Sequence, residues 1–334
     1  MIWLTWRQHR LILAAGFVLA VALVAWMLVV EHDYTIAQHA IARSCPTASL
    51  GIGPVSDLCS VLERHLFVAE DQAGVIIALP IFIPVLAGVL LGAPLVAGEL
   101  ERHTVLLAFT QGISRTRWLV TRWLTLVVPV AVVASLLAWV TNWWFWHLPS
   151  NPDMTGVVVG SASRIQPGTF DAVGIVPVAY TVFAFALGTA SGAVLRRTFW
   201  AGLATVAAFF AARLSFVHWV RPNLVAPRFQ PEQPGGAVPF VTGSQPWELS
   251  TGYRDAPGSR ASLSPASIRH VGDLCVRLGS NYDKCLAAHG IQFGTTYQPA
   301  SRFWILQWSE AAIFVVMAAA LFGITLWAVR RWRA

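Results

Sequence analysis

Gly98 to Trp118 reads GELERHTVLLAFTQGISRTRW, a charged stretch set between two long apolar runs. Leu100, Thr104 and Leu107 recur at helical spacing, as do Val105, Ala108 and Phe109. Glu99 and Glu101 stand where a helix would begin, which suits its macrodipole. Gly112 offers a C-terminal stop, and Ser114 an N-cap for the next helix. The pattern predicts a short amphipathic helix over Leu100–Gln111, inside an elbow over 99–118 that joins two membrane spans. The chemistry alone equally allows a surface loop that only reverses the chain.

Outward from the elbow the chain is apolar. Of 334 residues, 56% are hydrophobic and 12% charged, and mean hydropathy is +0.60. Soluble domains carry about twice that charge. Sixteen tryptophans fit aromatic belts at two membrane interfaces. Met1–Arg10 reads as a short interfacial helix. Leu11–Val30 is a run of 20 residues without a charge, about 30 Å as a helix, long enough to span. A signal peptide has a shorter apolar core and a small-residue cleavage site, which this run lacks. Further spans are expected over Ala73–Gly98, Leu119–His147, Val173–Leu195, Phe199–Val220 and Trp304–Val329, with Glu31–Gln72 as a polar loop. Gly88-x-x-x-Gly92 and Gly188-x-x-x-Gly192 would let two helices approach closely, although such pairs also arise by chance in glycine-rich spans.

The expected fold is thus all-α and polytopic, with six transmembrane helices. Residues 1–220 hold the first five helices and the elbow, 221–303 an extracytoplasmic segment, and 304–334 the sixth helix and a basic tail. With both termini inside, the inner segments hold eleven arginines, whereas the two shorter outer loops hold Arg43, Arg64 and Arg164. The net charge of +7 therefore reads as membrane orientation, not nucleic-acid binding. Ser267–Gly290 is expected to form a helical hairpin within the outer segment.

All four cysteines, Cys45, Cys59, Cys275 and Cys285, fall on the outer side, where disulfides persist. Three connectivities are open, as are buried free thiols. Cys45–Cys59 and Cys275–Cys285 are favoured because each pair is local. A zinc site is not expected: no Cys-x-x-Cys occurs, and the cysteines are read as lacking histidines at ligand spacing. Within the spans, Arg213 and Glu310 lie at matching depths of roughly 10 Å from the outer side. They suggest an intramembrane ion pair. Snorkelling of Arg213 and a wet cavity around Glu310 is the other reading. Arg122 is expected to snorkel from the inner end of the third span. The chain has no Gly-x-x-x-x-Gly-Lys-Ser/Thr, no His-Glu-x-x-His and no Gly-x-Ser-x-Gly. It is therefore not expected to be an enzyme.

Glu99-Leu100-Glu101, then Thr104, Ala108-Phe109-Thr110-Gln111, Arg115 and Trp118, resemble the cytoplasmic elbow of type-2 ATP-binding-cassette exporter permeases, especially actinobacterial ones. Tyr297-Gln298-Pro299-Ala300 through Phe303-Trp304 and Gln307-Trp308 into Glu310 is similar to that family's final segment. The resemblance implies a coupling helix seated on a separate cytosolic ATPase through Glu99, Leu100, Glu101, Thr104, Ala108, Phe109, Thr110, Gln111 and Arg115. ATP and Mg would sit on that partner and no cofactor on this chain. It further implies a homodimer or heterodimer with a second permease, lipid contact, a bacterial plasma membrane location, a small outer lid between the last two spans, and efflux of a hydrophobic or amphiphilic compound. A sensory or scaffolding membrane subunit would share the elbow and lid without a continuous pathway.

Overall fold

The computed structural model describes residues 2–45, 57–78, 81–102, 114–147, 164–231, 246–255, 265–277 and 282–331. Six of its helices are long and apolar enough to cross a membrane: Ala14–Ile41, Ile83–Glu101, Arg115–Phe145, Val176–Leu195, Thr198–Asn223 and Ala300–Arg331, the first to sixth spans in chain order. One end of the bundle holds Arg102, Arg115, Arg196, Arg197, Arg330 and Arg331. The other holds a small antiparallel sheet.

The first span is part of one uninterrupted helix, Ile2–Ser44, of 43 residues. At 1.5 Å per residue it runs about 65 Å, roughly twice a bilayer's hydrocarbon core. The expected interfacial helix at 1–10 and the start of the expected polar loop are thus both continuations of it. A second helix, Asp57–Ala78, packs back along it, buries Leu66, Ala69 and Ile76 against Met27, Val30 and Tyr34, and is stapled by Cys45–Cys59. The expected loop is helical here because apolar residues at three- and four-residue spacing bury one stripe while Asp57, Arg64 and Asp71 are exposed. Trp144 of the third span closes this cluster, its Nε1 donating to the Met27 carbonyl at 3.0 Å.

The fourth span is the most buried of the six. It interlocks with the second span through both glycine pairs. A methyl on Gly188 would sit 2.2 Å from the Gly88 carbonyl oxygen, and one on Gly192 2.6 Å from that of Ala93. Such contact is possible only where both helices present bare backbone. The second span is α-helical over Ile83–Ala87, opens into a π turn over Gly88–Gly92, and resumes over Ala93–Glu101. At the π turn the Ala93 N–H reaches back five residues to the Gly88 carbonyl, just before Pro94, which has no N–H to give.

Between the fifth and sixth spans the chain builds β1 (Arg228–Pro231), β2 (Trp247–Asp255) and β3 (Ile291–Gln298), with β3 central and both pairings antiparallel. This sheet departs from the all-α expectation. The expected helical hairpin is present as Pro265–Arg277 and Tyr282–Ala288, and Gly290 turns out of it at φ 74°. Cys275–Cys285 joins its two helices over Leu286 and Ile291. His289, one helical turn beyond Cys285, also approaches this pair, and the three ligand-type atoms lie within 4.8 Å of one another. A histidine thus does stand at ligand spacing, contrary to expectation, but both sulfurs are committed to the disulfide.

Candidate functional site

Polar side chains gather at each end of the bundle. At the arginine-rich end, the second span terminates in Glu99, Leu100 and Glu101. Glu99 turns inward to Arg122 of the third span, Oε1 to Nη1 at 2.7 Å. Arg122 also lies over the ring of Trp118, 5.1 Å from its centroid, and both side chains are buried. This corrects the expectation that Arg122 snorkels: an anion one span away offers a closer partner than the headgroups. Leu100 packs with Leu95, Val96, Trp118 and Leu119.

Glu101 reaches the fifth span. Its Oε1 accepts the Thr198 backbone N–H at 2.9 Å, and its Oε2 accepts the Thr198 hydroxyl at 2.7 Å. Thr198 is the first residue of its helix. The orphan N–H groups and positive end of that helix are thus met by a carboxylate from another span. Ser114 takes up the N-cap role expected of it, its Oγ accepting the Arg117 N–H at 3.3 Å. Arg115 begins the third span and is half-buried. Thr104, Ala108, Phe109, Thr110 and Gln111 lie outside the described residues.

At the sheet end, five side chains from three spans and one connector meet in the interior. Arg221, wholly buried at the end of the fifth span, donates from Nε to Glu310 Oε2 and from Nη2 to Glu310 Oε1, both at 2.7 Å. The same Nη2 lies 3.0 Å from the Tyr180 hydroxyl and binds Asp171 Oδ1. Asp171 Oδ2 receives Arg213, and the Tyr180 hydroxyl donates to Glu310 Oε1. The expected pairing of Arg213 with Glu310 is therefore incorrect. Arg213 binds Asp171, and Glu310 binds Arg221. The reason is proximity along the fifth span: Arg221 stands two turns closer to the sheet, in bidentate reach of Glu310. Two carboxylates and two guanidiniums cancel in charge, which makes so deep a burial tolerable. The Arg221 guanidinium also lies 4.4 Å from the Phe170 ring centroid.

One turn before Glu310, Gln307 faces the same way. Its Oε1 accepts the backbone N–H groups of Ile175 and Val176, each at 2.9 Å, and so caps the fourth span from outside. Its Nε2 donates to the carbonyls of Phe170 at 3.0 Å and Val173 at 3.1 Å. Gly174, at φ 79°, leaves room for this side chain; a Cβ there would lie 2.6 Å from Oε1. The feet of the sheet are held nearby. Gln298 Nε2 donates to the carbonyls of Pro222 and Val225, and Arg302 Nη1 to that of Ala226. Arg164, outside the spans, stacks 5.0 Å from the Phe303 ring, and burial lowers its guanidinium from the ordinary arginine value.

Chemically, every carboxylate oxygen of the cluster accepts at least one bond, from a guanidinium or from the Tyr180 hydroxyl, so the arrangement ties the fourth, fifth and sixth spans and the connector together. Sequence reasoning missed Asp171, Tyr180, Arg221 and Gln307. Asp171 and Arg221 stand at the borders of apolar runs, where charges are usually solvated. The available signal was the three-residue spacing of Gln307 and Glu310 on one helical face.

A search of the curated proteins and a search of the solved structures each return no match to the chain. The model of the family described as ABC-2 membrane transporter related matches residues 15–221. That stretch holds five of the six spans, both legs of the elbow, and Asp171, Tyr180, Arg213 and Arg221. Covering more than half of the chain, it makes this multi-pass membrane protein a member of the ABC-2 membrane transporter related family.

Proposed function

We propose that the chain is the membrane permease subunit of an ATP-binding-cassette exporter. Membership of the family implies association with ABC ATPase partners. In this reading the ATPase is a separate cytosolic chain that carries ATP and Mg. It seats on the elbow, with Thr104, Ala108, Phe109, Thr110 and Gln111 as the contact. Glu99 and Glu101, whose carboxylates are engaged within the chain, hold the elbow's base. A second permease, identical or related, completes the pathway. The cargo is a hydrophobic or amphiphilic compound, moved outward across a bacterial plasma membrane.

The observation that carries the reading is the family match over 15–221, which includes the whole elbow. Orientation is supported by chemistry at the two ends. Both disulfides lie at the sheet end, as an oxidising compartment requires, and the short segments at the other end carry Arg102, Arg115, Arg196, Arg197, Arg330 and Arg331. In this reading both termini face the cytoplasm, and the sheet with its stapled helices serves as an outer lid.

The test is purification of the tagged chain from its native membrane in mild detergent, with co-purifying proteins quantified. A stoichiometric soluble ATPase is expected. Scrambling 104–111 should abolish its co-purification and leave membrane insertion intact. A chain that purifies alone, under conditions that preserve other membrane complexes, overturns the reading.

A further inference from the structure

The fifth span is gripped by polar contacts at both ends. At the elbow end, Glu101 covers the first turn of its helix at Thr198. At the sheet end, its Arg213 and Arg221 are locked to Asp171 of the connector before the fourth span and Glu310 of the sixth. The residues just beyond Arg221 form one foot of the lid. Their carbonyls at 222, 225 and 226 are tied to Gln298 and Arg302 at the other foot.

Between these ends the fifth span lies against the second through small residues. A methyl on Gly98 would be 3.9 Å from Thr198 Oγ1. One on Gly202 would be 3.4 Å from Val89 Cγ1, and one on Gly88 3.0 Å from Thr205 Cγ2. Most of these are ordinary van der Waals distances, so the two Glu101–Thr198 hydrogen bonds fix the spans to each other more firmly than the packing does. The third span, the elbow's other leg, is tied at its far end by Trp144 to the first helix, and its Phe145 packs against the core that holds Phe170 and Tyr180 without a polar contact of its own to the lid's feet among the described residues.

From this geometry, and resting on the reading of the elbow as the ATPase seat, we propose that the fifth span is the rod that carries elbow movement to the lid. Glu101 is the positioning residue that couples the elbow to the rod. The rod is about 35 Å long from Thr198 to Arg221. When the ATPase draws the elbow, Glu101 draws Thr198, and the two arginines deliver the shift to the connector, the sixth span and the lid's feet together.

The experiment uses the chain in complex with its co-purifying ATPase in lipid nanodiscs, and reads two distances between spin labels on introduced cysteines. The described cysteines are all in disulfides, so introduced thiols react selectively. The near pair replaces Arg102 and Arg331. The far pair replaces Trp139 and Trp219, both largely exposed. Trapping the ATPase in its ADP·vanadate state, with ATP, Mg and vanadate supplied, should shift both distances in the otherwise native complex. In Glu101→Ala/Thr198→Ala the near shift should remain and the far shift should be mostly lost. Thr198→Ser, which keeps the hydroxyl and the N–H, should retain the far shift. A merely structural role for Glu101 would not separate the two readouts. A far shift that survives intact in the double variant overturns the rod, as does a native complex whose near pair moves and far pair does not. An unmoved near pair, or no co-purifying ATPase, overturns the elbow reading and the rod with it.

Discussion

Arg221 is the residue whose loss the interior can least absorb. With its guanidinium removed, Glu310 keeps only the Tyr180 hydroxyl, and Asp171 must share Arg213 alone. Breaking a buried pair from one side costs about 3–5 kcal/mol, because the orphaned charge stays in low dielectric. Arg221→Ala should therefore lower the thermal unfolding midpoint in detergent far more than Arg213→Ala, because the Arg213 side chain is 13% exposed and that of Arg221 is wholly buried. Replacing both partners, as Arg221→Met/Glu310→Leu, should recover much of the loss. A double variant as unstable as the sum of the two single changes would show that the pair does not act as a unit. This cluster was half legible from sequence. Arg213 and Glu310 stood out because they interrupt apolar runs. Asp171 and Arg221 did not, because a charge at the border of a run normally meets water, and only the tertiary fold turns those borders inward.

At the scale of elements, the apolar runs were legible because bilayer thickness sets a length that composition reveals. The glycine motifs were legible as possibilities only, since spacing does not say which helix faces which. The structure pairs Gly88 and Gly92 with Gly188 and Gly192, and this is testable. Gly188→Ala places a methyl 2.2 Å from a carbonyl oxygen and should cost about 1–3 kcal/mol, read as a lower unfolding midpoint. Gly323→Ala, where nothing lies within 4 Å, should leave that midpoint unchanged or raise it slightly. The sheet was illegible for a different reason. β1 is only four residues, and β2 carries a register shift between Glu248 and Ser250 that breaks strict alternation. The hairpin beside it was readable at its end, where Gly290 stops the second helix. Its disulfide closes a separation of ten residues, so Cys275→Ser/Cys285→Ser should cost about 2–4 kcal/mol locally. Limited proteolysis should then cut within 265–290 before it cuts the spans.

At the scale of the molecule, the proposed orientation has a simple test. The chain contains a single lysine, Lys284, exposed on the second helix of the lid's hairpin. A membrane-impermeant amine reagent applied to intact cells should modify the Lys284 peptide, as read by mass spectrometry. Labelling that appears only after permeabilisation would place the lid in the cytoplasm and reverse the topology. The same orientation decides how energy would pass through the protein. Among the described residues, Glu101 at one end and the sheet's feet at the other both bind the fifth span or the residues just beyond it.

The 43-residue first helix has a practical meaning as well. At about 65 Å it exceeds a hydrocarbon core by roughly 35 Å, so a length of it stands outside the membrane, alongside the helix stapled to it. Under the proposed topology that pair of helices is a mast standing above the cell surface. An antibody fragment raised against it would decorate living cells, count transporters without lysis, and supply the rigid fiducial mass that particle alignment of a small membrane protein demands.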